Sequence, residues 1–247
     1  MMTEFDMEFY DTDISTLLDE YTDRHCKAEY GRGFSAYLER IRGLGLPNGG
    51  VVLDAGGAIG NWGIPYASIS SRVDVIDILP QRLFVGQAMA KKMKLENIFF
   101  SNMSITETTF EDSSFDAIIC YSVLMFADLS STLAEFNRLL MPGGRLFIQV
   151  DLWRWHLVGS FPEGKQNRLR YLAKLLLQKF LWNKPQFFTE SRILSELSKN
   201  NFLVVSAGDD GQTSFVSAMG DAARAAFYPL ENGKKTLLEV CAVKNEG

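Results

Sequence analysis

The sequence predicts an α/β fold: a doubly wound, mostly parallel seven-stranded sheet with a C-terminal antiparallel hairpin, N-terminal helices and a helical cap insertion. Between residues 50 and 150, short apolar runs alternate with helical stretches, which is typical of buried parallel strands joined by crossover helices. Further along, the β-prone runs 202–206 and 237–243 are separated by a long polar segment without a strong helix. This arrangement indicates a closing antiparallel pair.

Each element follows from a local pattern. Residues 14–43 have apolar side chains at helical spacing, so they predict N-terminal helices. The predicted core strands are 51–53, 73–76, 98–100, 115–120 and 145–150. Helices are expected at 80–92, with Pro80 in the first helical position, and at 130–140, stopped by Pro142-Gly143-Gly144. A last helix is expected to begin near Thr189, because a threonine side chain can accept a hydrogen bond from the first turn as an N-cap.

Composition narrows the class of protein. A chain of 247 residues with 47% apolar and 22% charged residues is typical of one globular α/β domain. The net charge of −5 argues against nucleic acid as the main partner. Three widely spaced cysteines fit neither a disulfide framework nor a zinc site, and they indicate a reducing compartment.

No targeting or spanning segment is expected. The start of the chain is acidic and lacks the apolar core of a secretory signal. No uncharged stretch reaches the ~20 residues that span a bilayer. The sequence therefore predicts a cytoplasmic protein without a membrane span and without a metal site.

The stretch VVLDAGGAIGNWG, residues 51–63, joins a strand to a helix through a glycine-rich turn. Such a turn presents bare backbone N–H groups to a nucleotide-like or carboxylate-bearing ligand. A dinucleotide fingerprint needs glycines at relative positions 0, 2 and 5. Here Gly56, Gly57 and Gly60 stand at 0, 1 and 4, so NAD fits poorly.

The same stretch resembles motif I of the class I S-adenosylmethionine-dependent methyltransferases. Asp54, Gly56 and Gly60 match its pattern, and Ala58 takes the place of the middle glycine. The segments VDVIDILPQRL, FFSNMS, FEDSSFDAIICYSVLMF and EFNRLLMPGGRLFI are similar to later blocks of the family. The resemblance covers residues 50 to about 150, and the last helix and sixth strand are less similar to the family.

The resemblance implies S-adenosylmethionine as cofactor and assigns its binding residues. Asp77, 17 residues after Gly60, would accept hydrogen bonds from both ribose hydroxyls. Asp54 would hold the ammonium group of the methionine moiety, and Arg32 would pair with its carboxylate. The remaining expected contacts are Gly56, Gly57, Ala58, Gly60, Ile78, Asn102, Met103 and Tyr121.

Three of these assignments have structural alternatives. Asp54 also fits a turn residue bonded to neighbouring N–H groups. Asp77 also fits a cap of the helix that starts at Pro80. Arg32, between two glycines, also fits a solvated loop residue.

The sequence defines the residues around the methyl acceptor less well than those around the cofactor. His156 follows the fifth strand, where a neutral imidazole would serve as a base, and packing among tryptophans is its alternative. Cys120 ends an apolar strand and is expected to be a packing residue. The sequence 120–123 replaces the Asn/Asp-Pro-Pro-Tyr/Phe signature of exocyclic amino methylation, which argues against adenine chemistry on nucleic acid.

These expectations predict a single methyltransferase domain over 1–247. It divides into N-terminal helices (1–49), a cofactor-binding core (50–151), a cap insertion (152–188) and a C-terminal helix with strands (189–247). The expected reaction is methyl transfer to a small-molecule acceptor, at oxygen rather than nitrogen or carbon. The alternatives are a protein or RNA methyltransferase that uses the basic stretch 165–184, and a non-catalytic S-adenosylmethionine-binding protein.

The insertion 152–188 is expected to form a mobile helical cap over the acceptor site. Leucines and a phenylalanine at helical spacing give it an apolar face, and aromatic side chains flank that face. A solvated surface helix and a basic amphipathic membrane contact are the alternatives.

Overall fold

The computed structural model describes residues 23, 27, 33–153, 176–177, 186–216 and 236–246. Within these ranges the helices of four residues or more are α1 (Phe34–Leu44), α2 (Gly63–Ala67), α3 (Pro80–Lys92), α4 (Leu129–Leu139) and α5 (Glu190–Lys199). The strands are β1 (Val51–Ala55), β2 (Arg72–Asp77), β3 (Ile98–Asn102), β4 (Phe115–Tyr121), β5 (Leu140–Asp151), β6 (Phe202–Gly208) and β7 (Leu237–Lys244).

The strands form a seven-stranded sheet in the order β3-β2-β1-β4-β5-β7-β6. β1 to β5 pair in parallel, and β7 lies antiparallel between β5 and β6. The predicted doubly wound sheet and its C-terminal antiparallel pair are therefore confirmed. The strand order reverses between β1 and β4, and in such sheets ligands bind in the crevice beyond the carboxyl ends of the strands at that point.

Helices cover both faces of the sheet. α1, α2 and α3 pack on one face through an apolar cluster that includes Tyr37, Ile64 and Met89. α4 and α5 pack on the other face through a second cluster that includes Phe136 and Ile193. Because side chains alternate along a strand, each strand sends every second residue to the α1–α3 face.

Two elements differ from the sequence prediction. The short helix α2 is not evident from apolar spacing, and it begins where the N–H of Gly63 donates to Oδ2 of Asp54. β5 is longer than expected, because it runs back through the Pro-Gly-Gly segment to Leu140, which pairs with Phe115. The predicted Thr189 N-cap is confirmed: its side chain accepts from the N–H of Arg192.

Much of the expected cap insertion lies outside the described residues, as do most of the predicted N-terminal helices. The described ends of the insertion meet at the carboxyl edge of the sheet. Leu152 and Phe188 form a parallel bridge, and the N–H of Trp153 donates to the carbonyl of Phe188 over 3.0 Å. Across the described part of the chain, no helix combines the length and apolarity needed to cross a bilayer.

Candidate active site at the strand reversal

A tight contact joins the two sides of the crevice. Gly56 has a φ of 75°, and a Cβ added to it would lie 2.6 Å from Cγ2 of Val123, the residue that follows the end of β4 by two. Only glycine allows the turns after β1 and β4 to approach this closely. The turn continues with left-handed backbone at Ala58 (φ 51°) and Gly60 (φ 82°), so its conformation is specific and partly strained.

Asp54 lies beneath this turn. The side chain is 1% exposed, and Oδ2 accepts from the N–H of Gly63 over 2.8 Å. A Cβ at Gly57 would fall 2.4 Å from Cγ of Asp54, so the absence of a side chain there makes room for the carboxyl group. Burial raises the pKa of Asp54 from 3.8 to about 7, the N–H of Gly63 opposes this, and Asp77 adds to it. The carboxyl group thus makes the backbone contact that its turn-residue alternative requires.

Asp77 connects the ends of β1 and β2. Its Oδ2 accepts from the N–H of Ala58 over 3.1 Å, and its Oδ1 accepts from the N–H of Leu79 over 2.8 Å. The Leu79 contact lies at the start of α3, where Leu79 itself is the N-cap without a side-chain bond. A carboxylate has about four lone-pair positions, so two remain for a ligand.

An exposed apolar strip follows Asp77. Ile78 is 65% exposed and Leu79 41% exposed, so two large apolar side chains face solvent directly after a buried carboxylate. Next to them, the exposed Asn102 donates from its side-chain amide to the backbone carbonyl of Asp77 over 2.8 Å. The N–H of Met103 donates to the same carbonyl over 3.2 Å. These residues, with Asp54 and the turn 56–60, form the β1–β3 side of the crevice.

The other side of the crevice, the β4–β7 side, contains Tyr121, Ser122, Gln149, Asp151, Asp210 and Glu239. Tyr121 ends β4, and its ring packs 5.1 Å from that of Trp62. Its hydroxyl donates to Oδ1 of Asp210 over 3.4 Å. Trp62 in turn contacts Tyr37 and Phe147, so an aromatic cluster fixes the orientation of Tyr121.

Arg40 and Glu239 form a buried ion pair on this side. Nη2 of Arg40 donates to Oε2 of Glu239 over 2.5 Å, and both side chains are at most 2% exposed. Thr213 and the N–H of Gly211 donate to the same carboxylate oxygen over 2.8 and 3.0 Å. Burial raises the pKa of Glu239, Arg40 lowers it, and Asp210 raises it further. The carboxylate therefore ties the loop after β6 to α1.

A group of polar side chains lies at the end of β5. The hydroxyl of Ser122 donates to Oε1 of Gln149 over 2.6 Å, while Gln149 is fully buried. Nε2 of Gln149 has no hydrogen-bond partner among the described residues. Burial raises the pKa of the Asp151 carboxyl from 3.8 to about 6, and the neighbouring Gln149 and Ser122 side chains hold it below the value that burial alone would give.

The sequence-predicted site residues divide between these observations. The structure brings Asp54, the turn residues, Asp77, Ile78, Asn102 and Met103 to one side of the crevice and places Tyr121 across from them. Arg32 and His156 lie outside the described residues. Cys120 is buried on the opposite face, and burial raises the pKa of its thiol, as expected of a packing residue.

Asp151, Gln149, Arg40 and Glu239 were not predicted as site residues. One signal was available for Asp151: it ends an apolar strand run as Asp54 and Asp77 do. Among the described residues, no group of three or more His, Cys, Asp or Glu side chains is arranged to hold a metal ion.

Residues 52–144 match a family of methyltransferase domains. Among curated proteins, the chain is 31% identical over 143 residues to a ubiquinone/menaquinone biosynthesis C-methyltransferase UbiE of Brucella anthropi, covering 49% of this chain and 54% of that protein. It is 33% identical over 100 residues to the demethylmenaquinone methyltransferase of Deinococcus radiodurans, covering 39% of this chain and 41% of that protein. The chain thus spans about half or less of the length of these relatives.

Solved structures show the same fold. Geranyl diphosphate C-methyltransferase from Streptomyces coelicolor A3(2) superposes with a TM-score of 0.61 at 16% identity, covering 87% of this chain and 81% of that one. The YcgJ protein from Bacillus subtilis gives a TM-score of 0.59 at 17% identity, covering 86% and 99%. Residues 52–144, which contain the glycine turn, Asp77 and the end of β4, thus match a methyltransferase domain, and the chain shares its fold with these solved structures, in agreement with the resemblance to S-adenosylmethionine-dependent methyltransferases.

Proposed function

We propose that the protein transfers a methyl group from S-adenosylmethionine to a small-molecule acceptor. The observation that carries this proposal is the position of Asp77 at the carboxyl end of β2, inside the matched domain. Its Oδ2 accepts from the N–H of Ala58 in the glycine turn, and its remaining lone pairs can accept from a ligand. S-adenosylmethionine, when bound, supplies an electrophilic methyl group that leaves its sulfur as the new bond forms.

The residues of the β1–β3 side fit this cofactor. Asp77 offers two carboxylate oxygens to a pair of ribose hydroxyls. The exposed Ile78 gives an apolar surface beside the Asn102 amide, which suits a planar base with polar edges. Met103 and the backbone of Gly56, Gly57, Ala58 and Gly60 complete the proposed contacts.

The methionine end of the cofactor is assigned to residues near the point where the two sides of the crevice meet. Asp54 would favour a nearby ammonium group, because a positive charge offsets the cost of its buried negative charge. Tyr121 lies on the other side of the crevice and would bound this end. Arg32 stays a prediction for the carboxylate, and His156 stays a prediction for an acceptor base.

For the acceptor atom, the curated relatives support carbon rather than the oxygen that the sequence favoured. One relative is named a C-methyltransferase of quinone biosynthesis and another a demethylmenaquinone methyltransferase. Methylation of such a ring at carbon needs an electron-rich form of the acceptor, which a reduced ring with ionisable hydroxyl groups provides. We therefore include hydroxylated aromatic rings as the first class of acceptor.

Thermal unfolding and methyl transfer test the proposal in sequence. S-adenosylmethionine and S-adenosylhomocysteine should each raise the unfolding temperature, whereas NAD should not. Radiolabelled methyl groups should then appear in a small-molecule panel that contains a reduced demethylmenaquinone analogue and simple phenols, with the methylated atom identified by NMR. Protection by NAD alone would contradict the cofactor assignment, and label only in RNA or protein fractions would support the macromolecular alternative.

A further inference from the structure

We propose that the carboxylate of Asp151, beside Ser122 and Gln149 at the end of β5, accepts the proton of a hydroxyl group on the methyl acceptor. The inference rests on the proposed function and narrows it to one substrate class: neutral molecules with an acidic hydroxyl group, such as phenols and hydroquinones. It also assigns a site residue outside the matched domain, which ends at residue 144.

The position of Asp151 is set by strand register. Asp54 is level with Ile119, and Ile119 with Phe147, so these residues define one level across β1, β4 and β5. Asp151 lies four residues further along β5, or about 13 Å at the usual rise of a strand. It is on the same sheet face as Phe147, because the two residues are four positions apart on one strand. Asp54 shares this face, because residues at one level of adjacent strands point to the same side. Asp151 is therefore beyond the proposed methionine site, on the acceptor side.

The hydrogen-bonding pattern leaves this corner incomplete. Gln149 is fully buried, and its Oε1 accepts from Ser122. Its Nε2 makes no hydrogen bond of normal length within the described part of the chain, although the amide is close enough to lower the pKa of Asp151. A buried amide without a hydrogen bond of normal length is costly, and a bound water molecule, an ion or a catalytic role accounts for such groups in native structures. An acceptor oxygen at this corner would take the Gln149 N–H while its own hydroxyl donates to Asp151.

The chemistry balances within the acceptor and Asp151. The O–H bond of the acceptor breaks, the proton moves to an Oδ of Asp151, and the electron pair stays on the acceptor. That pair increases the nucleophilicity of the oxygen or, through an aromatic ring, of a ring carbon. A general base works best when its pKa is close to the pH at which the enzyme operates, and burial moves the pKa of Asp151 towards neutrality, to about 6.

Other ionisable groups lie on the same face. Among the described residues of the elements around Asp151, they include Asp54 on β1, Tyr121 on β4, Glu239 on β7, Asp210 in the loop after β6, and Arg40 on α1. Glu239 is held by Arg40, and Tyr121 donates to Asp210, so both carboxylates already have partners. Within the described part of the chain, the side chains that bear on the pKa of Asp151 are the neutral Ser122 and Gln149.

Binding of a stated probe tests the inference without turnover. The affinity of 1,4-dihydroxynaphthalene, kept reduced without oxygen and measured with S-adenosylhomocysteine bound, should rise about tenfold between about pH 5 and about pH 7 in the wild-type protein. Asp151→Asn, which keeps the size of the side chain, should bind the probe more weakly and with no such rise.

A control and two outcomes separate the possible failures. Asp112→Asn, an exposed carboxylate paired with Arg138 and distant from the crevice, should keep the wild-type pH profile. An affinity that is flat with pH in the wild type, or that rises equally in Asp151→Asn, would overturn the inference while thermal protection by S-adenosylmethionine leaves the proposed function intact. If neither S-adenosylmethionine nor S-adenosylhomocysteine protects the wild type, the proposed function and this inference fail together.

Discussion

The two sides of the crevice hold their carboxyl groups by different means. On the β1–β3 side, Asp54 and Asp77 accept from backbone N–H groups that lie at most 19 positions away along the chain. On the β4–β7 side, Glu239 accepts from Arg40, which lies 199 positions away, and from the Thr213 hydroxyl. One side is built by local chain conformation and the other by side chains that only the complete fold brings together.

This difference has a consequence for function. Backbone donors are present whatever the side chains are, so the β1–β3 side can recognise one constant ligand over a wide range of sequences. The β4–β7 side depends on particular side-chain pairs, so single substitutions there change both stability and the chemistry offered to the acceptor. The following four predictions test this distinction.

The largest effect is expected at Arg40 on the β4–β7 side. Arg40→Ala leaves the charge of Glu239 buried without its partner, so the free energy of unfolding should fall by about 3–5 kcal/mol near pH 8. Because burial already raises the pKa of Glu239, this acid takes up a proton as the pH falls, and the loss should be smaller near pH 5. Urea unfolding at both pH values measures this change.

Arg42→Ala is the matched control, since Arg42 is exposed in the last turn of the same helix. It should change stability by less than ~0.5 kcal/mol. Equal losses for the two variants, or a loss at Arg40 that does not vary with pH, would show that the buried ion pair does not account for the stability of this side.

The next effect concerns ligand binding on the β1–β3 side. Asp77→Ala should weaken S-adenosylmethionine binding by about 2–3 kcal/mol, the scale of hydrogen bonds to a charged group. Asp74→Ala is a suitable control, because Asp74 is also a buried β2 carboxylate but faces the opposite side of the sheet and pairs with Arg72. Calorimetry that finds unchanged affinity in a folded Asp77→Ala protein would remove Asp77 from the site.

Substitution of Asp54 should raise the stability of the ligand-free protein but weaken its binding of S-adenosylmethionine. Its folded pKa is raised from 3.8 to about 7, so the stability it contributes is present below about pH 4 and is lost as the pH rises through 7. Asp54→Asn should therefore stabilise the ligand-free protein by about 2 kcal/mol near pH 8, and have little effect near pH 4. The same variant should bind S-adenosylmethionine more weakly if the carboxylate holds the ammonium group.

Thermal unfolding of ligand-free and ligand-bound protein at the two pH values separates these effects. Destabilisation of ligand-free Asp54→Asn near pH 8 would contradict the desolvation account. Unchanged affinity would leave Asp54 with its turn contact to Gly63 alone.

The smallest effect is expected at Ala58. Ala58→Gly removes the strain of a side chain in the left-handed region, which should stabilise the folded protein by roughly 1 kcal/mol. Glycine also makes the unfolded chain more flexible, and the entropy that it loses on folding offsets most of that gain. Stability should change little, and S-adenosylmethionine affinity should rise a few-fold at most as the methyl group is removed. Ser113→Gly makes the same backbone change (φ 53°) in an exposed turn away from the crevice, and should leave affinity unchanged.

A much larger response would support the non-catalytic alternative. If Ala58→Gly increased turnover or affinity by about two orders of magnitude, equivalent to nearly 3 kcal/mol, the natural alanine would mark a site that has lost its function.

The sequence predicted the sheet and much of the β1–β3 side, for a physical reason. A strand that ends in aspartate and a turn with several glycines are local features, and a parallel sheet then brings successive strand ends to one edge. The β4–β7 side lacked such features. Glu239 occurs within the apolar run LLEVCAVK, and nothing in that run indicates that Arg40, in a helix some 200 positions earlier, would neutralise it.

The same reason explains the smaller discrepancies. α2 spans only Gly63–Ala67, too short for apolar spacing to identify. β5 continues through Pro142-Gly143-Gly144, residues that ordinarily end regular structure, and Leu140 retains its pairing with Phe115 through a shift in register. In both cases the deciding contact is tertiary and therefore invisible in a local pattern.

The bridge between Leu152 and Phe188 bears on how this chain can evolve or be engineered. It joins the residues on either side of the 154–185 segment at one point on the sheet, so we expect the strand pairing there to be independent of the segment's length. Closing a loop twice as long costs only about 0.6 kcal/mol more. The position is thus a natural exchange point, where segments of different length and composition can be substituted beside the crevice while the sheet below retains its register.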